Sequence, residues 1–389
     1  VLIPNPYRGL RGLPTDVWII FATTLVNRAG MMALPFLVLY LTRYLHVSPS
    51  LAGLAISAYG VGGLVTAPVA GRLADRIGPF AVMRVSLALT GVILLIIPLV
   101  HTFVAVVGLT FLWAVVADAA RPATMSALTD TTRPEQRKAA IAVNRLGVNL
   151  GMSIGPALGG FLAQVSFPLL FVVDGATSLI AAGVLTTLLW LRRRSAGALP
   201  AHHETAARAA VFAKSSVVWR DRTALTLFAT SLMLNVVFSQ HQGAMPLYIV
   251  RDLKYPESFF GGLFVLNTLI IVAIEVPLNI ATSHWNMRRT LAFAVALVAV
   301  GFGALGLAQS PLAIAMTVVI WTFGEMIFFP TSTAYVSELA PPGRTGEYMG
   351  AFASTFSLAL IVGPWLGAAL LDHFGGAVTW TVMLFCGLG

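Results

Sequence analysis

Apolar runs of about 20 residues recur along the whole chain, separated by short polar or Gly/Pro-containing stretches. A run of that length crosses a bilayer as a helix, because a helix satisfies its own backbone polar groups in hydrocarbon. The pattern predicts α1 over about 15–42, α2 over 50–72, α3 over 80–100, α4 over 103–126, α5 over 139–165 and α6 over 168–191. Residues 192–221 then change in composition, opening on three arginines and containing Gly197, Pro200, His202, His203 and Glu204. They read as a cytoplasmic linker, with 204–219 as a short amphipathic helix on the membrane surface. The plan then repeats as α7 (222–249), α8 (258–282), α9 (289–308), α10 (312–334), α11 (346–371) and α12 (from 376). Only fourteen residues, 376–389, remain for α12, which therefore reads as truncated.

The two sets of six are related. Gly155-Pro156-Ala157-Leu158-Gly159 on α5 returns as Gly363-Pro364-Trp365-Leu366-Gly367 on α11, 208 positions later. The same offset joins Tyr40 to Tyr248, Arg43 to Arg251, Gly53 to Gly261 and Pro122 to Pro330. Glycines four apart clear one helix face for a close neighbour, and the proline bends the helix. So long a period marks a duplicated half-protein rather than a solenoid. The expected fold is an all-α integral membrane protein of twelve transmembrane helices in two pseudo-symmetric six-helix bundles. The bundles would be 1–191 and 222–389, joined by 192–221.

Composition excludes other classes. Charged residues make up 10% of the chain and hydrophobic residues 58%, against about 25% charged in soluble domains. The net charge of +9 does not point to nucleic acid, because of where the charge lies. With a cytoplasmic N-terminus, 18 of the 24 Lys and Arg residues fall on the inner side, three outside and three within helices. That is the positive-inside bias. The first apolar run is too long for a signal peptide. Cys386 is the single cysteine, so no internal disulfide is expected; the histidines are scattered, and no lysine follows a glycine as a phosphate loop requires. No cofactor or metal is expected, only a proton gradient as energy source.

Twelve helices in two related halves, and the stretch Gly71-x-Leu73-Ala74-Asp75-Arg76-x-Gly78 after α2, resemble the major facilitator superfamily. The resemblance implies that Gly71, Asp75, Arg76 and Gly78 form a tight cytoplasmic turn, in which Asp75 clamps the two halves. Pro79 and Phe80 follow where the family usually has two basic residues. On α5, Gly151-x-x-x-Gly155-Pro156-x-x-Gly159-Gly160 resembles the helix-5 signature of the drug/proton antiporters, which implies a conformational role for those residues. On α10, Gly324-Glu325 followed by Pro330 resembles some multidrug/proton antiporters and also the proton-coupled oligopeptide transporters. The second likeness extends to Asn27-Arg28-Ala29-Gly30 and Leu39-Tyr40-Leu41-Thr42 on α1, where Thr24 and Asn27 replace two glutamates.

An ionisable group inside the membrane costs about 2.5–3.5 kcal/mol on insertion scales, so each is a functional candidate. Glu325 lies near the middle of α10 and is the candidate proton-coupling carboxyl, with Asp118 and Glu275 as further proton carriers; the alternative for each is a structural charge pair. Arg28 has no acid within four residues on α1. It must meet an acid from another helix, such as Glu325 or Glu275, or a substrate anion, or stand in cavity water. Asp118 and Arg121 are one helical turn apart and can pair or gate. Arg145 is a candidate cytoplasmic gate, or snorkels to the inner surface. Asn27, Met32, Asn235, Gln240, His241 and Trp321 are candidates for the cavity wall, whereas Asp174 falls near the outer end of α6, where partial hydration makes it unremarkable.

The combined expectation is a monomeric, proton-coupled exporter of amphiphilic small molecules by alternating access. Its partners are the substrate, protons and the lipid bilayer, with no nucleic acid, and its place is a bacterial inner membrane. The alternatives are a proton-coupled symporter or exchanger of peptides or anionic metabolites, and, in another class, a lipid flippase or non-transporting receptor.

Overall fold

A computed structural model describes residues 12–133, 135–196, 218–282, 284–341 and 344–388. The proposed surface helix at 204–219 and most of the linker lie outside the described residues, as do the side chain of Asp75 and the surroundings of Gly71. Among the described residues the chain is helical throughout, and eleven helical stretches are long and apolar enough to cross a membrane.

Most boundaries follow local chemistry. Pro49, Pro79 and Pro311 open α2 (Pro49–Ile77), α3 (Pro79–Ile96) and α10 (Pro311–Leu339), where the missing N–H of proline costs nothing. Asp221 caps α7 through the amides of Thr223 and Ala224, and Asn286 caps α9 (Met287–Ala304) through those of Arg288 and Arg289. Between lie α4 (Phe103–Thr131), α5 (Arg137–Val165), α6 (Phe167–Ala196) and α8 (Glu257–Thr282). The stretch Thr345–Leu388 divides at Gly375 (φ 75°) into α11 and α12. The charged turn expected over 71–78 is far shorter. α2 continues to Ile77 and only Gly78, at φ 85°, makes the joint to α3, a conformation that favours glycine. Gly71, Asp75 and Arg76 therefore sit in the last turns of a helix.

Two helices expected to be continuous are broken. α1 consists of Thr15–Gly30 and Ala33–Arg43, with Met31 and Met32 outside helical geometry. α7 runs as Arg222–Phe238, then through a tight turn at Ser239–His241 and a short helix at Ala244–Pro246 into the wide turn Leu247–Asp252. The breaks stand at equivalent positions of the repeat, since Met31 maps to Ser239 under the 208-residue offset.

The repeated glycine–proline segments meet these breaks. On α5, Gly151 lies against the backbone of Arg28 and Ala29, Gly155 against the carbonyl of Met31, and Gly159 against Met32 and Phe36. On α11, Gly363 and Gly367 lie against Val236, Ser239 and Gln240 of α7. The other face of each segment crosses to the opposite half. Gly261 of α8 packs on the Pro156 carbonyl of α5, and its counterpart Gly53 of α2 packs on Pro364 and Trp365 of α11. Gly160 completes the first contact against Glu257 and Ser258. The two contacts exchange under the pseudo-twofold, as a self-complementary interface requires.

Beside these contacts Arg43 pairs with Glu257 and donates to the Val250 carbonyl at 3.1 Å, while Gln164 Nε2 donates to Ser258 Oγ at 2.7 Å. The halves are thus joined on the face opposite Gly78. A Cβ at Gly53 would lie 2.7 Å from Trp365 Cα and 2.9 Å from the Pro364 carbonyl oxygen. Overpacking of this kind costs about 1–3 kcal/mol, so Gly53→Ala and Gly261→Ala should each shift the population towards separation on this face by ~5- to ~150-fold. Spin labels at Tyr44 and Lys254, in a Cys386→Ser background, should report a longer distance in both variants; unchanged distances would show that the glycine contacts do not limit closure.

Candidate functional site

The polar chemistry of the N-terminal half gathers around the break in α1. Unwinding there frees the amides of Met32 and Ala33, and Asp174 Oδ2 of α6 accepts from both, at 3.1 and 3.0 Å. The carboxylate thus caps the helix that begins at Ala33, where the positive end of the helix dipole favours an anion. Asp174 is 3% exposed, not partly hydrated as its sequence position suggested. Its signal was already present as a lone carboxyl in an apolar run.

A cavity of about 370 Å³ opens beside this cap, lined from α1 to α6 by residues that include Asn27, Arg28, Tyr59, Asp118, Arg121 and Asp174. Asn27 Nδ2 donates to Ser178 Oγ at 3.1 Å, and Thr24 Oγ1 donates to Asn144 Oδ1 at 3.0 Å. Asp118 and Arg121 approach to 3.8 Å on one helix face, as their spacing predicted. Arg28 reaches Met31 Sδ at 2.9 Å and forms no ion pair among the described residues. Neither acid expected for it is available. Glu275 pairs with Arg145 across α8 and α5, and Glu325 faces Asn267. The arginine instead shares its cavity with Asp118 and Asp174.

The C-terminal half is arranged differently. Glu325 Oε2 accepts from Asn267 Nδ2 of α8 at 2.9 Å, and the same Nδ2 lies 2.9 Å from Thr322 Oγ1. No basic side chain among the described residues forms an ion pair with Glu325. Around Phe238 stand Trp321, Phe329, Phe302 and His241, with ring centroids 4.9–6.4 Å from its own. Trp321 also stacks on Phe302 at 5.5 Å.

Several residues expected in the cavity wall make helix contacts. Gln240 is fully buried and donates to the carbonyls of Val236 and Gly363, bridging the α7 break to α11. It does for α7 part of what Asp174 does for α1. Asn235 is buried, with Nδ2 3.4 Å from Thr355 Oγ1, and His241 Nδ1 lies 2.6 Å from the Phe238 carbonyl. The Met32 side chain is buried under Gly159, and what Met32 contributes at the α1 break is its amide. None of these four lines the cavity described above. Loss of the Asp174 cap should cost about 0.5–2 kcal/mol. Asp174→Ala should therefore lower the thermal midpoint of the purified protein, and Asp174→Asn, which keeps an acceptor, should lower it less. Equal midpoints in all three proteins would show that the cap does not hold the break.

A family model described as Major Facilitator Superfamily matches residues 19–364. The MFS-type transporter YqjV of Bacillus subtilis (strain 168) is 24% identical over 370 residues, covering 92% of this chain and 87% of its own length. Multidrug resistance protein 1 of the same organism is 23% identical over 334 residues, covering 84% and 82%. Among solved structures, the peptide transporter POT in complex with sulfate superposes with a TM-score of 0.76 at 17% identity, covering 98% of this chain and 95% of that one. At such identity the likeness shows the fold. A family match over this much of the sequence shows more, and the chain belongs to the Major Facilitator Superfamily, a family of secondary transporters rather than enzymes.

Proposed function

We propose that this transporter is a proton-coupled exporter of amphiphilic small molecules, working by alternating access between two bundles that divide at 192–221. The observation that carries the coupling is Glu325, a carboxyl in the middle of α10 whose side-chain partner is the neutral Asn267. A carboxyl held by an amide rather than a guanidinium can gain and lose a proton without breaking an ion pair. Aromatic rings beside it offer an apolar wall for a lipophilic ligand. Export as the direction rests on the α5 signature and on the multidrug resistance relatives.

The two halves then divide the work. The N-terminal cavity, with Arg28, Asp118 and Arg121, meets the polar part of the ligand, while Glu325 carries the proton. Glu275 holds Arg145 across the halves, towards the Gly78 face. The face bearing Gly78 is cytoplasmic in this reading, by the positive-inside bias, so the conformation described is the one joined on the outer side. Protonation biases the equilibrium only through the different environments of Glu325 in the two states.

A second reading is favoured by one observation, the Arg28 guanidinium facing the cavity without an ion-pair partner. It would suit the carboxylate of a peptide or another anionic metabolite, imported with protons.

Proteoliposomes with an acidic lumen separate the two. Lipophilic cations should release lumenal protons, and Glu325→Gln should abolish both that release and the pH dependence of transport. Normal pH dependence in Glu325→Gln would remove the coupling assignment. With the gradient reversed, acidic outside, uptake of dipeptides together with protons, lost in Arg28→Ala, would replace the first reading by the second.

A further inference from the structure

On the outer surface of the N-terminal half, α3 and α6 touch backbone to backbone where Gly91 faces Gly175. Towards the Gly78 face they border an open surface groove of about 580 Å³. Ala81, Val85 and Ala88 of α3 line it with Leu179, Ala182 and Gly183 of α6, and Thr186 and Thr187 lie towards the Gly78 face. A Cβ at Gly183 would meet nothing within 4 Å, so the groove is vacant there. The size and apolar lining suit an acyl chain.

One charge lines this groove, Arg84, five residues into α3. Its Nε is buried and has no hydrogen-bond partner, and it forms no ion pair among the described residues. A buried donor without an acceptor is costly, and native structures seldom leave one so. Along α6 the positions 183, 187, 190 and 194 fall on one face, continuing the groove towards the same end of the bundle. There the Arg194 guanidinium lies 3.7 Å above the half-exposed Trp190 ring. Tryptophan and arginine together mark the headgroup level of a bilayer.

We propose that the α3–α6 groove is a binding site for an anionic phospholipid in the leaflet on the Gly78 face. The phosphate accepts from Arg84, Arg194 stands at the headgroup, and one acyl chain lies over Ala88 and Gly183. Charge complementarity selects an anionic lipid, since Arg84 and Arg194 lie along this path and the described residues lining the groove include no acid. The site is separate from the transport cavity, which Arg84 does not line.

The test is retention of phosphatidylglycerol against phosphatidylcholine by the delipidated full chain, read as bound lipids by native mass spectrometry and as a shift of the thermal midpoint. Wild type should retain phosphatidylglycerol in preference. Arg84→Gln should weaken that retention by ~fivefold or more, as expected for one arginine at an anionic headgroup, and Arg84→Lys should keep part of it. Gly183→Leu fills the groove while leaving Arg84 in place, and should also lose the lipid. Glycerol phosphate, which has no acyl chain, should give no thermal shift. Retention unchanged in Arg84→Gln, or lost there but kept in Gly183→Leu, would overturn the site; the latter would mean that Arg84 only meets bulk headgroups.

Discussion

The contact on which this architecture depends is the approach of a glycine to the backbone of a bent helix in the opposite half. Gly261 on Pro156 and Gly53 on Pro364 bring α8 to α5 and α2 to α11 with no side chain between them. Hydrocarbon offers little hydrophobic drive for helices to associate, so packing density must do that work. Glycine permits the approach, and the facing helix presents the carbonyl of its own bending proline as the surface on which the glycine sits. Because the two contacts are copies, the halves meet about a pseudo-twofold axis, and each contributes one helix of each kind.

The same helices carry a second set of contacts within each half. α5 presses Gly151, Gly155 and Gly159 onto α1 where that helix is broken, and α11 does likewise to α7. A broken helix in lipid exposes amides and carbonyls that must find partners. The N-terminal half supplies a carboxylate, Asp174, and the C-terminal half an amide, Gln240. That choice separates the chemistry of the bundles. An anionic cap beside Arg28, Asp118 and Arg121 makes a charged cavity, whereas a neutral bridge beside Phe238, Trp321 and Phe329 leaves aromatic packing. Glu325 is the exception in that apolar half, held by Asn267 alone among the side chains described.

Charge placement obeys the cost of desolvation throughout. Arg43, Arg145 and Arg192 each hold an acid from a distant part of the chain, at the ends of helices or between the halves. Such pairs join elements far apart in sequence and can exchange partners when the bundles move. Arg28 and Glu325, both within helices, form no ion pair among the described residues; Arg28 meets Met31 and Glu325 meets Asn267.

The sequence by itself determined where the apolar helical runs lie, though not their breaks in α1 and α7, and that they come in two copies. Runs of apolar residues are a one-dimensional signal, and hydrocarbon leaves helices as the way to satisfy the backbone. The 208-residue offset also named the residues of the interface, since Gly53, Gly261, Pro156 and Pro364 were all in the repeat. It could not say that they touch each other, because partners from different helices have no period in common. Pairings of charges were legible when both members shared a helix, as for Asp118 and Arg121, and not otherwise. Tertiary structure decided that Glu275 answers Arg145 rather than Arg28, and that Gln240 and Asn235 face helices rather than a cavity. It also gave Asp174 its place. A carboxyl in an apolar run looks alike whether it meets water or caps a helix, and the break in α1 that it caps is seen only where α5 and α6 pack against it.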